Sequence, residues 1–259
     1  MYSGHAKLIY GENLSSAWAK AVLECYNAKG AALSPVVVEF PAGDESSLED
    51  DTTRNIAEKY IRRLTPKLLG IESVANTIFP QSLWKHCNGD RYKLYEKYMR
   101  CLPMIKKTPT NKRGVYFERM IAYSNSDTTQ VNQLEQIIST WSDRHNHRHA
   151  AHQIGIFDPR KDHVHAPILG FPCLQQVAFH AAGSNGQNGL EIVGFYATQT
   201  LLEKGYGNYL GLYRLGQFVA QQMKLTLTKV TCFSSVLKLN NDKVKKAICN
   251  SDIKTLMAI

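Results

Sequence analysis

Residues 173–200, CLQQVAFHAAGSNGQNGLEIVGFYATQT, constrain the fold more than any other stretch of this chain. Two apolar, strand-forming runs flank GSNGQNG, a Gly/Asn-rich segment with the composition of a hairpin loop. Strands paired this way need a partner layer to bury their apolar face, and the next segment supplies one. YLGLYRLGQFVAQQM at 209–223 predicts a largely apolar, buried helix, and LTLTKVTCF at 225–233 predicts a final strand. Upstream, ENLSSAWAKAVLECYNAKG predicts a capped helix, SPVVVEF a strand, IAEKYIRRL a helix after an acidic polar stretch, and AAHQIGIF a short strand. The region 81–106 predicts a helix ending near Pro103, and VNQLEQIISTW an amphipathic one with Val131, Leu134, Ile138 and Trp141 on one face. Helices and strands mix without strict βαβ alternation, so the expected class is α+β, over one domain spanning 1–259.

Composition narrows the function classes. With 44% hydrophobic residues and a mean hydropathy of −0.30, the chain has no apolar run near the ~20 residues that span a bilayer. Its first residues lack the apolar core of a secretory leader, and six cysteines without CxxC or regular spacing predict reduced thiols. A cytoplasmic protein is therefore expected. The net charge of +9 suits an anionic partner, but Lys and Arg are spread along the chain, which weakly supports nucleic acid. His145, His147, His149 and His152 fall in one segment without a completing Cys or carboxylate set, so no metal site is predicted.

Several anchors recur in one order. FDP at 157–159 precedes FPC at 171–173, and AQQMKLTLTKV closes the buried helix at 220–230. Upstream stand NTIF at 76–79 and RGVYFERM at 113–120. Together they resemble thymidylate synthase and its pyrimidine hydroxymethylase relatives, in which Trp-Asn-Pro, Pro-Cys, Thr-Ile-Trp and Gly-Pro-Val-Tyr occupy those places. The resemblance implies a mixed sheet packed by helices, with a sheet face forming a homodimer interface. It implies Cys173 as a nucleophile adding to carbon 6 of a pyrimidine, and Tyr116 as a second catalytic residue. Asn208 becomes the reader of the ring, with Thr198, Arg148, Phe79 and Trp84 in substrate binding. The implied one-carbon donor is 5,10-methylenetetrahydrofolate, and the implied reaction is methyl or hydroxymethyl transfer to carbon 5 of a base, nucleoside or nucleotide.

The departures are as specific as the matches. Leu174 follows the cysteine where the family has histidine, and Ala197 stands where an arginine grips the substrate phosphate. Alanine cannot replace that bidentate contact. Thr200 replaces an aspartate, and Lys238 and Asn240 replace the ribose-holding histidine and tyrosine. The expected substrate is held differently from deoxyuridylate, with Arg148, Lys204 or Lys238 as replacement cations. The alternative is a nucleotide-binding or scaffold protein that kept the fold and lost the chemistry.

Overall fold

The computed structural model describes residues 5–64, 70–125, 129–143, 148–165, 171–182, 189–240 and 248–259. Six strands form the main sheet: β1 (Lys7–Tyr10), β2 (Val36–Pro41), β3 (Gln153–Gly155), β4 (Leu174–Ala182), β5 (Gly189–Tyr196) and β6 (Thr226–Ser234). Their spatial order is β1-β2-β6-β5-β4-β3. The β1–β2 and β6–β5 pairs are parallel, and the other three are antiparallel. The expected hairpin is present as the β4–β5 pair, with Ala182 opposite Gly189. Its loop, 183–188, lies outside the described residues. A small second sheet joins Ala32–Leu33, Leu237–Lys238 and Gln199–Thr200 beside one end of the first. The fold is therefore α+β, with a mixed sheet.

Strand alternation decides which face is covered. In β5, Leu190, Ile192, Gly194 and Tyr196 are buried while Glu191, Val193 and Phe195 are half-buried. In β6, Val230, Cys232 and Ser234 are buried while Lys229, Thr231 and Phe233 are not fully covered. The buried face carries α1 (Leu14–Asn27) and α7 (Tyr206–Met223). Around these pack α2 (Asp51–Leu64), α3 (Ile71–Ile78), α4 (Arg91–Ile105), α5 (Tyr116–Ile121), α6 (Gln133–Asp143) and α8 (Asn250–Met257).

Local chemistry explains the helix starts. Asn13 and Ser16 form a reciprocal capping box at α1. Asp50 accepts from the Thr53 amide and hydroxyl, so α2 begins within the acidic stretch, ahead of the apolar run that predicted it. α7 begins at Tyr206, three residues before the predicted start. Gly207 sits so close to α3 that a Cβ there would lie 2.6 Å from Val74 Cβ and 2.9 Å from the Ile71 carbonyl. That packing pulls Tyr206, Gly207 and Asn208 into the helix. Asn208 is thus helical, in the turn that follows the π-helical segment Leu201–Gly205.

Candidate active site

Cys173 immediately precedes β4 and is half-buried against the core. Its carbonyl accepts from the Ala197 amide at 3.0 Å, joining it to the end of β5. On its other side, the amides of Cys173 and Leu174 donate to the Tyr116 hydroxyl oxygen, at 3.3 and 3.5 Å. A phenol that accepts two N–H groups still carries one O–H to give. Burial, and then the neighbouring Cys173 thiol, push the Tyr116 phenol above its ordinary value, so it is a neutral proton donor at physiological pH. Tyr196, fully buried at the end of β5, is raised further by burial, with Tyr116 and Cys173 among its neighbours.

The approach to Cys173 is held by chain segments distant in sequence. A register shift between Leu174 and Gln176 leaves Gln175 as a bulge, and such bulges re-aim neighbouring side chains. The Gln175 carbonyl takes the Ile156 and Phe157 amides, at 2.8 and 3.2 Å, which places the FDP segment beside the nucleophile strand. Asp158 then caps the turn Pro159–Asp162. Phe171 packs on Tyr116 with ring centroids 5.1 Å apart, and the Arg119 guanidinium lies 4.6 Å over the Phe171 ring. Arg119 is bound through both terminal nitrogens to Asp162 and also donates to the Ile156 carbonyl at 2.7 Å. Gly114, with φ +136°, closes the NKRG turn against Phe171, where a Cβ would meet the ring at 3.0 Å.

The predicted site residues divide into groups. Cys173 and Tyr116 meet directly. Thr198 lies just past Ala197, and Gln199 next to it accepts from the Tyr209 hydroxyl at 3.3 Å. Asn208 directly precedes Tyr209 in α7 and is 4% exposed. Lys238 lies beside Thr200, since Leu237–Lys238 pairs with Gln199–Thr200. Arg148 is exposed at the start of the turn His149–Ala151. His149 packs on His180, seven residues along β4 from Cys173, or roughly 23 Å at the rise of a strand. Within one chain Arg148 and Cys173 are therefore apart. Arg144, His145 and His147 lie outside the described residues.

Phe79 and Trp84 are placed elsewhere. Phe79 is fully buried between Phe117 and Phe218, which gives it no surface for a substrate. Trp84 stacks edge-on against Phe218 and lines a cleft of about 700 Å³ with Gln217, Thr226 and Gly43. That cleft adjoins the start of β6 and the end of β2, whereas Cys173 adjoins the end of β5, at the opposite end of the parallel β5–β6 pair. The NTIF segment was drawn by its apolar residues into the α3–α7 contact. Residues that sequence reasoning did not single out are Tyr196, Gln199 and the Arg119–Asp162 pair. Only Tyr196 carried a signal, as the first inward-facing tyrosine before Ala197.

No protein-family model matches this chain, and no curated protein matches it in sequence. Among the described residues no group of His, Cys, Asp or Glu is placed to hold a metal, and no helix is long and apolar enough to cross a membrane.

Proposed function

We propose that the chain is a divergent thymidylate synthase-like enzyme acting on carbon 5 of a pyrimidine base, nucleoside or nucleotide. The observation that carries this reading is the pinning of Cys173 by the Tyr116 hydroxyl at the end of the sheet. The Cys173 thiolate adds to carbon 6 and shifts the ring electrons into an enolate. Carbon 5 then attacks the donor's methylene carbon and loses its proton as the carbon–nitrogen bond to tetrahydrofolate breaks. The exocyclic methylene so formed takes hydride from the tetrahydrofolate, leaving dihydrofolate, or hydroxide from water, and the sulfur then leaves carbon 6. The donor of the proposed reaction is 5,10-methylenetetrahydrofolate, and Tyr116 gives or takes the proton nearest the thiol.

The test is tritium release from 5-tritiated uracil, uridine, deoxyuridine and deoxyuridylate, with and without the folate. Release that vanishes in Cys173→Ala supports the reading, and no Cys173-dependent release across the panel overturns it. The scaffold alternative rests on the exposed Ala197 where the family places its phosphate-gripping arginine. It expects pyrimidine binding without release, and a Cys173 alkylation profile that follows an ordinary thiol.

The proposal includes a homodimer through the uncovered sheet face. There Phe195 and Phe233 stack at 5.2 Å, flanked in register by Val37 and the exposed Leu8. By the family resemblance, the second copy is the source of the Arg148 that reaches the site. Sedimentation checks this, with Phe233→Lys expected to shift a dimer to monomer and a wild-type monomer refuting it.

A further inference from the structure

Lysine and arginine recur along the whole chain, but the acids that offset them do not. Residues 85–113 hold nine Lys and Arg against two acids, Asp90 and Glu96, and so carry +7 of the chain's +9. α4 is the centre of this stretch. Its buried side is Leu94, Tyr95, Tyr98 and Leu102. Opposite them Lys93, Lys97 and Arg100 recur at i, i+4 and i+7, an outward stripe about 10 Å long. Both acids are already engaged. Asp90 caps α4 through the Tyr92 and Lys93 amides, at 2.9 and 3.1 Å, and Glu96 pairs with Arg100 at 3.1 Å. Arg91 and Lys106 are bound to Glu135 and Glu118. Among the described residues, Lys85, Lys93, Lys97, Lys107, Lys112 and Arg113 form no ion pair.

The helix itself does not account for the stripe. Like charges at i, i+4 repel and cations in a first turn oppose the helix dipole, so Lys93 and Lys97 weaken α4. Lys97 Nζ donates to the His86 carbonyl at 2.8 Å, which brings the exposed turn carrying Lys85 alongside. At the N-terminal end of the stripe Tyr92 is 59% exposed and fixed, its hydroxyl on Glu135 at 2.9 Å and the Arg91 guanidinium 4.7 Å from its ring centre. We propose that this face of α4 binds single-stranded nucleic acid, the stripe taking phosphates and Tyr92 stacking a base. A line of cations beside a fixed, exposed aromatic ring is what sequence-tolerant binding of a strand requires. An anionic membrane is the poorer fit, because the apolar residues of α4 face the core and the stripe offers a bilayer only Met104, 63% exposed. The inference does not rest on the reading of Cys173.

The test is fluorescence anisotropy of the full-length chain with labelled, mixed-sequence single strands of about 20 nucleotides, one DNA and one RNA. Affinity should fall steeply between about 50 and 200 mM salt. Lys93→Gln, Lys97→Gln and Arg100→Gln together should weaken binding about tenfold or more at the lower salt. They should also flatten the log–log salt slope by about 2, at ~0.7 per phosphate contact. Removing three cations elsewhere, with Lys20→Gln, Lys29→Gln and Lys254→Gln, should change affinity by less than about threefold. Tyr92→Leu should cost about fivefold or more. Absence of binding to both strands at about 50 mM salt overturns the proposal. So does equal weakening by the control triple, a salt slope that the stripe substitutions leave unchanged, unaltered affinity in Tyr92→Leu, or tighter binding to a duplex of the same sequence. Stripe-dependent sedimentation with vesicles containing about 30% phosphatidylserine, without strand binding, would overturn it in favour of a membrane surface.

Discussion

Tyr116 concentrates the chemistry of the nucleophile corner in one oxygen. It holds the amides of Cys173 and Leu174, and its ring rests on Phe171, over which the Arg119 guanidinium also lies. Tyr116→Phe keeps the ring contacts and removes only the acceptor. Two backbone amides then lose their partner beside a packed core, so the expected loss is about 1–3 kcal/mol of unfolding free energy, read by denaturant titration. Cys173-dependent tritium release should fall by about tenfold or more, since the thiol loses both its anchor and the neighbouring proton. A stability loss with unchanged release would make Tyr116 structural only.

At the scale of elements, the contact that places Asn208 is the crossing of α3 and α7. Gly211 allows it: a Cβ there would lie 2.9 Å from both the Ala75 carbonyl and Ile78 Cβ. Backbone cannot give way as a side-chain tip can, so Gly211→Ala should destabilise by about 1–3 kcal/mol despite alanine's better helix propensity. Unaltered stability in a denaturant titration would contradict this close approach. The same contact shows what was legible beforehand. Alternation in 173–200 marked β4, β5 and their pairing, because a half-buried strand writes its two faces into neighbouring residues. The buried character of α7 was equally legible. Its true start was not, because that depends on Gly207 meeting Val74, more than a hundred residues away. Phe79 failed for a related reason: an aromatic residue reads the same in a pocket as in a core. Arg119–Asp162 was invisible too, since nothing local to either residue announces an ion pair across 43 positions.

The whole molecule has an unusual stock of buried weak acids. Burial pushes the Cys25 thiol up to about 12, with Glu24 adding to the rise and Lys7 opposing it. Cys232 is raised by burial as well. The phenols of Tyr95, Tyr98, Tyr116, Tyr196, Tyr206 and Tyr209 are all raised, burial leading in each. In the unfolded chain thiols ionise near about 8.5 and phenols near about 10. Above those values the unfolded state binds fewer protons than the folded state, so raising the pH draws the equilibrium toward unfolding. The stability from these groups is complete below about pH 8.5 and is lost as pH climbs toward their folded values. The two thiols alone remove on the order of 2 kcal/mol each by about pH 10, and the phenols steepen the fall beyond it. Denaturant midpoints should therefore hold steady from about pH 7 to 8 and drop sharply above 9. Tyrosinate absorbance from the buried phenols should appear together with loss of secondary structure. The double variant Cys25→Ala, Cys232→Ala separates the two contributions: it should flatten the decline between about pH 8.5 and 10 while leaving the steeper fall above it. Smooth tyrosinate titration of a chain that stays folded would mean the tyrosines are not enclosed as the packing of α7 against the sheet requires.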